Sequence, residues 1–168
     1  VRIALNLKQL SYVTVPVHLL NNGGEQHADE YRELNPQESV PVLLDGARIF
    51  RQSMAIIEYL DEVHPQPPAL LPADPLGRAR VRALTQIVAC EIHPLNNLRV
   101  LKYLVRDLQA SDEAKNDWYR HWVCLGLASY EAHLAERPGT FSHGDTPTLA
   151  DCCLVPQIFN GKRFNTSF

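Results

Sequence analysis

Five prolines crowd the eleven residues from Pro65 to Pro75, PQPPALLPADP. Each lacks an amide hydrogen and fixes φ, so this stretch carries neither a helix interior nor a central strand. It is a stiff, extended connector and marks a domain boundary. The boundaries expected from it are 1–64 for a first domain, 65–74 for the linker and 75–168 for a second. The two sides read differently. Before the connector, apolar residues come in short runs; after it, they recur at helical spacing. A chain of 168 residues with 45% hydrophobic content has enough apolar material for a real core.

In the first part, Val1, Ile3, Ala4, Leu7 and Leu10 predict a helix with Arg2 and Lys8 toward solvent. Tyr12 to Leu19 alternates, which predicts a strand disturbed by Pro16. Asn21-Asn22-Gly23-Gly24 is a loop, and Glu25 to Leu34 reads as one polar helix closed by Asn35-Pro36. Val42-Leu43-Leu44 and Ala47 to Phe50 flank Asp45-Gly46, a two-residue turn, and so read as a hairpin. Ser53 is placed to cap a helix whose inward face holds Met54, Ile57 and Leu60. The order is helix, strand, helix, strand, strand, helix. That is an α/β thioredoxin-like layout without its first strand, which is expected just before Val1 because Tyr12 to Leu19 otherwise has no parallel neighbour.

Two features of this part could hold a ligand. The residue before Pro41 is extended; were that bond cis, Val40 would turn its N–H and C=O outward, where a peptide could pair with them as an added strand. The start of the helix at Ser53 offers unpaired N–H groups and a positive dipole end, suited to a carboxylate. Together they describe a site for a small peptide carrying a carboxylate. A well-formed hairpin and helix with no ligand is the plainer alternative.

The second part is all helical. Asp74-Pro75 supplies an N-cap and a first-turn proline. Val81, Leu84, Val88, Ile92 and Leu95 form a stripe, continued by Leu98, Leu101, Leu104, Val105 and Leu108 beyond a kink or break at Pro94. Another helix starts near Ser111, with Tyr119, Val123, Leu127, Tyr130 and Leu134 inward. Thr148 and Asp151 form a capping box. In CEIHPLNNLR, His93 and Asn97 share a face only if the helix survives Pro94, and Arg99 joins them only if it does not.

The net charge of −3, with both signs mixed, argues against nucleic acid or an anionic membrane as the main partner. No apolar run is long enough to span a bilayer. Four cysteines, Cys90, Cys124, Cys152 and Cys153, form no C-x-x-C motif and read as buried thiols in a reducing cytosol. The histidines lack metal-ligand spacing.

The ordered set Val40-Pro41, Asp45-Gly46, Gln52-Ser53 and Tyr59-Leu60, followed by Ala69-Leu70-Leu71-Pro72, His-Pro-Leu-Asn-Asn-Leu-Arg from His93, the T-x-x-D step at Thr148 and Leu154-Val155-Pro156-Gln157, resembles the zeta class of glutathione transferases. The resemblance covers nearly the whole chain. It implies a glutathione transferase fold, glutathione as cofactor and usually a homodimer in the cytoplasm. By it, Gln26, Val40, Gln52, Ser53, His93, Asn97, Leu98 and Arg99 contact glutathione, and Arg99 and Arg163 are candidates for the carboxylates of the substrate. It also implies further helix beyond Phe168, and a thiolate-stabilising Ser in a turn upstream of Val1; Ser11, Ser39 and the cysteines do not match that motif.

The implied reaction is cis–trans isomerisation of an acidic ene-dione. A thiolate adds to the double bond, rotation follows, and the thiolate is expelled. Maleylacetoacetate, an intermediate of aromatic amino-acid breakdown, is the first expectation and maleylpyruvate the second, with Leu98 rather than a second Arg speaking for the larger acid. General conjugation or dehalogenation is a third. A non-catalytic module of the same fold is the alternative of another class.

Overall fold

The computed structural model describes residues 1–166. They fall into two compact units, Val1–Ala69 and a second from Leu70 onward.

In the first unit, α1 (Arg2–Leu7) is followed by an extended stretch, two single 3₁₀ turns (Asn21–Gly23 and Glu25–His27), α2 (Asp29–Leu34), β1 (Val42–Asp45), β2 (Arg48–Arg51) and α3 (Ser53–Val63). The sheet has two antiparallel strands, with Val42 opposite Arg51 and Asp45 opposite Arg48. The hairpin loop is therefore Gly46-Ala47, one residue later than expected, and Gly46 takes the positive φ of +58° that a two-residue loop demands. The strand expected over Tyr12 to Leu19 does not form. An extended segment becomes a strand only by pairing, and among the described residues none pairs with this one; Val13 and Val15 are 89% and 78% exposed. The single helix expected over Glu25–Leu34 is broken at Ala28, whose ψ of 148° is extended.

The small core of this unit gathers Leu5, Ile56 and Leu60, with Leu10, Tyr12, Leu43, Phe50 and Tyr59 against it. The inward face of α3 is thus set by Ile56, Ile57 and Leu60, while Met54 is only half-buried. Phe50 and Tyr59 stack at 4.0 Å, and the Tyr59 hydroxyl donates to Asp45 Oδ2 at 2.6 Å, which fastens the hairpin tip to α3.

Lys8 reverses its expected role. It is 2% exposed, pairs with Asp61 at 2.6 Å and donates to the carbonyls of His64 and Gln66 at 2.9 and 3.0 Å. The ammonium satisfies carbonyls at the C-terminal end of α3, where a cation also suits the helix dipole.

The second unit contains α4 (Pro75–Gln86), a π-helical stretch (Ile87–Ile92), α5 (His93–Asn96), α6 (Leu98–Arg106), α7 (Asp112–Glu136) and α8 (Leu149–Arg163). α4 packs on α8, and the π stretch on α7. Asp74 caps α4 by accepting from the Gly77 amide at 2.7 Å, with Pro75 in the first turn. Ser111 caps α7, and Thr148 with Asp151 forms the reciprocal box at α8. Leu70, from within the proline-rich stretch, is wholly buried and its carbonyl accepts from the Leu149 amide at 2.8 Å. The core includes Val81, Leu84, Val88, Ile92, Tyr119, Val123, Leu127 and Tyr130. From the last turn of α6 onward the predicted stripe runs out: Val105 is 38% and Leu108 60% exposed.

No disulfide joins the cysteines among the described residues, but only Cys152 is buried; Cys90 and Cys124 lie exposed, on the outer faces of the π stretch and of α7.

Candidate functional site

In the first unit, one loop ties the predicted ligand contacts together. Asn35 is 1% exposed; its Nδ2 donates to the Ser39 carbonyl at 2.6 Å, and its Oδ1 accepts from the Gln37 amide at 3.2 Å. Tyr31 on α2 adds a second bond to the Ser39 carbonyl at 2.8 Å. These bonds fix residues 35–39, which lead directly into Val40. The Val40–Pro41 bond is cis. Val40 is 44% exposed, and among the described residues nothing hydrogen-bonds to its amide or carbonyl.

Gln52 has φ +68° and ψ 119°, a sharp turn out of β2 that places it, and not Ser53, at the N-cap of α3. Ser53 is instead the first helical residue, because the turn is completed one residue earlier. The Gln52 side chain does not cap the helix; its Nε2 donates to Gln37 Oε1 at 2.6 Å. The start of α3 therefore keeps its capacity for an anion.

Gln26 is 6% exposed and its Oε1 has no partner, while its Nε2 lies 2.9 Å from His27 Nε2. His27 Nδ1 makes a very short contact with Glu38 Oε2. That bond, helped by Arg32, holds the Glu38 carboxyl below its ordinary value of 4.5. Gln26 and Gln52 thus reach the same loop from two sides, through Glu38 and Gln37. Neither loop residue was signalled by spacing or motif; their importance shows only when the loop is folded.

In the second unit, the helix breaks at Asn97 (ψ 159°) and not at Pro94. Pro94 has no N–H to donate to the Cys90 carbonyl, and the wide turns over Ile87–Ile92 lie immediately before it. Asn97 stitches the break: its Nδ2 donates to the Pro94 carbonyl at 2.9 Å, and its Oδ1 accepts from the Val100 amide at 3.2 Å, capping α6. Trp118 Nε1 donates to the Leu95 carbonyl at 2.9 Å, pinning α5 onto α7.

The break puts His93 and Arg99 within electrostatic reach. His93 keeps an exposed edge, yet surrounding helix displaces much of its solvent, and this, followed by the Arg99 charge, lowers its pKa below 6.5. The ring is therefore neutral near pH 7 and can accept or donate a proton. Leu98 opens α6 half-buried and Arg99 is exposed. Arg163 is the last residue of α8, exposed, and its charge reaches Tyr119.

An extended backbone edge at Val40, an orphaned amide oxygen at Gln26 and a helix start without a side-chain cap fit a peptide that carries its own carboxylate. Residues 1–68 match the family described as Glutathione S-transferase, N-terminal domain. The chain is 50% identical to a probable maleylacetoacetate isomerase of Vibrio cholerae over 98% of its own length and 76% of that protein's. A solved maleylpyruvate isomerase, described as a zeta-class glutathione transferase, superposes with a TM-score of 0.94 at 51% identity, covering 99% of this chain and 78% of that one. A maleylacetoacetate isomerase from Methylobacterium extorquens, solved with malonate and GSH bound, gives 0.93 at 37% identity over 99% and 78% of the two chains. The chain belongs to the glutathione transferase family, in the zeta class that holds the maleylacetoacetate and maleylpyruvate isomerases. Its first unit is accordingly the thioredoxin-like half of that fold and its second the helical half.

Proposed function

We propose that this protein is a glutathione-dependent cis–trans isomerase that converts maleylacetoacetate to fumarylacetoacetate in the breakdown of tyrosine and phenylalanine. The observation that carries the reading is the pairing of an open Val40 backbone with the start of α3 at Gln52-Ser53, in a chain at 50% identity to a protein named for that activity. When bound, glutathione supplies a thiol whose thiolate can add reversibly to an activated alkene.

The chain's own residues bind and orient. Val40 offers its amide and carbonyl to the cysteinyl backbone, and Gln52 and Ser53 hold the γ-glutamyl end. Gln26, His93, Asn97, Leu98 and Arg99 complete the glutathione contacts. Arg99 and Arg163 neutralise substrate carboxylates, for which a guanidinium gives paired hydrogen bonds. Asn97 contacts glutathione with its remaining capacity, one N–H and one lone pair, since the rest is spent on the helix break. Malonate beside GSH in a relative's structure supports a site for a carboxylic acid close to the thiol.

Calorimetric titration of glutathione into the protein tests the reading: binding is expected, and its absence overturns it in favour of a non-catalytic module. Parallel assays with maleylacetoacetate, maleylpyruvate and a chloro-acid then rank isomerisation of the two acids against dehalogenation. We place the protein in the cytoplasm as a homodimer, which light scattering tests. No helix among the described residues is long and apolar enough to cross a membrane.

A further inference from the structure

The Val40 N–H shares one rigid peptide plane with the Ser39 C=O. The Ser39–Val40 bond is trans, so the two groups point in opposite directions within that plane. Wherever the Ser39 carbonyl is held, the Val40 amide is aimed the other way. That carbonyl is held twice, by Asn35 Nδ2 at 2.6 Å and by the Tyr31 hydroxyl at 2.8 Å. Asn35 is 1% exposed, so the carbonyl is drawn toward the interior and the N–H is turned away from it, at a residue that is itself 44% exposed.

The rest of Asn35 is committed to the same loop. Its Nδ2 also reaches Ser39 Oγ at 3.2 Å, its backbone amide donates to the Tyr31 carbonyl at 2.8 Å, and its carbonyl accepts from the Glu38 amide at 2.9 Å. Its Oδ1 accepts from the Gln37 amide at 3.2 Å, and Gln37 Oε1 accepts in turn from Gln52 Nε2 at 2.6 Å. One carboxamide thus reaches the Val40 edge through its donor end and Gln52 through its acceptor end.

We propose that Asn35 and Tyr31 are positioning residues for glutathione: by fixing the Ser39 carbonyl they aim the Val40 N–H at the cysteinyl carbonyl of the tripeptide. The proposal rests on the reading of Val40 as a glutathione contact, and it asks neither side chain to touch the ligand. Two donors on one carbonyl also polarise the peptide, which makes its N–H a stronger donor. Partial burial raises the Tyr31 hydroxyl above its ordinary 10, so it remains a donor near neutral pH.

The test pairs calorimetry of glutathione binding with NMR of the ligand-free protein. Tyr31→Phe removes one donor from the Ser39 carbonyl at a half-buried ring, which leaves the fold in place. Its Kd is expected to rise roughly three- to ten-fold, the effect of one hydrogen bond. Asn35→Ala removes the other donor and releases Gln37 as well, so Kd should rise roughly ten- to a hundred-fold. In ligand-free Tyr31→Phe, the Ser39 carbonyl-carbon and Val40 amide signals should shift together while the Ser53 amide signal stays in place. An unchanged Kd in Tyr31→Phe, or Ser39 and Val40 signals that ignore the lost hydroxyl, overturns the proposal. Shifts that spread to Ser53 overturn it in favour of a merely structural role. If the Ser39 and Val40 signals move together but the unmodified protein binds no glutathione, the reading of Val40 as a glutathione contact fails instead.

Discussion

Two helices in this chain begin just after a residue whose backbone breaks sharply from helical geometry, and they are finished in opposite ways. At the start of α6, Asn97 turns its side chain back on the backbone and caps the helix. At the start of α3, Gln52 turns its side chain away to Gln37 and supplies no cap. Among the described residues, α4, α7 and α8 are also closed by a side chain or a reciprocal box. The contrast extends to the units around them. The first is stitched by polar side chains reaching loop carbonyls, as Lys8 and Asn35 do. The second joins its helices chiefly by apolar stripes, with polar side chains such as Trp118 and Asn97 reaching single carbonyls between them. The start of α3 is thus the end without a side-chain cap in a chain that caps its other long helices, which is why the proposed function places the carboxylate of glutathione there.

The contrast breaks most visibly at Lys8. Lys8→Met leaves Asp61 and two carbonyls to find new partners in a buried position, and should cost about 3–5 kcal/mol in chemical denaturation. A loss under 1 kcal/mol would mean the polar stitching is dispensable. Next is Ser53→Ala, expected to weaken glutathione binding roughly 10- to 100-fold, the range for a hydrogen bond to a charged group, with little change in melting temperature. Asn97→Ala should do the reverse first, lowering stability by about 1–2 kcal/mol through the lost cap. If Ser53→Ala melts the protein while Asn97→Ala does not, the assignment of the two helix starts is inverted.

The smallest effect concerns pH. The folded protein resists protonating His93, so the unfolded chain binds more protons as pH falls below the ordinary 6.5. The stabilisation is complete above that value and is lost as pH drops toward the folded pKa. His93→Asn should flatten the dependence of stability on pH in that window, and an identical slope in the two proteins would show that other groups account for it. Because the ring keeps an exposed edge, the difference should be slight.

Much of this architecture could be read from local chemistry. Asp74-Pro75, Ser111 and the Thr148–Asp151 pair each carry their reason within four residues, and so their helices start where spacing puts them, whereas Gly46 announced the turn but not its register, which lies one residue later. Tyr12 to Leu19 failed because a strand is a property of two segments, and the alternation of one says nothing of its neighbour. Lys8 failed similarly: its three partners lie more than fifty positions away. At the candidate site, Gln52 and Ser53 were legible as a strand-to-helix junction, but the offset of one residue came from a left-handed Gln52 that no β-strand rule would place there. Glu38, at φ +54°, was invisible for the same reason.

The wide turns over Ile87–Ile92 have one more implication. A π stretch accommodates one residue beyond what a regular helix would hold. Removing a residue from it would let the ladder return to ordinary pitch with little loss of hydrogen bonding, yet would swing everything downstream by about 100° around the axis. His93 would leave its present bearing while every side chain that lines it remained in the sequence. The bearing of that histidine is thus stored as a surplus of chain length, not as any contact it makes.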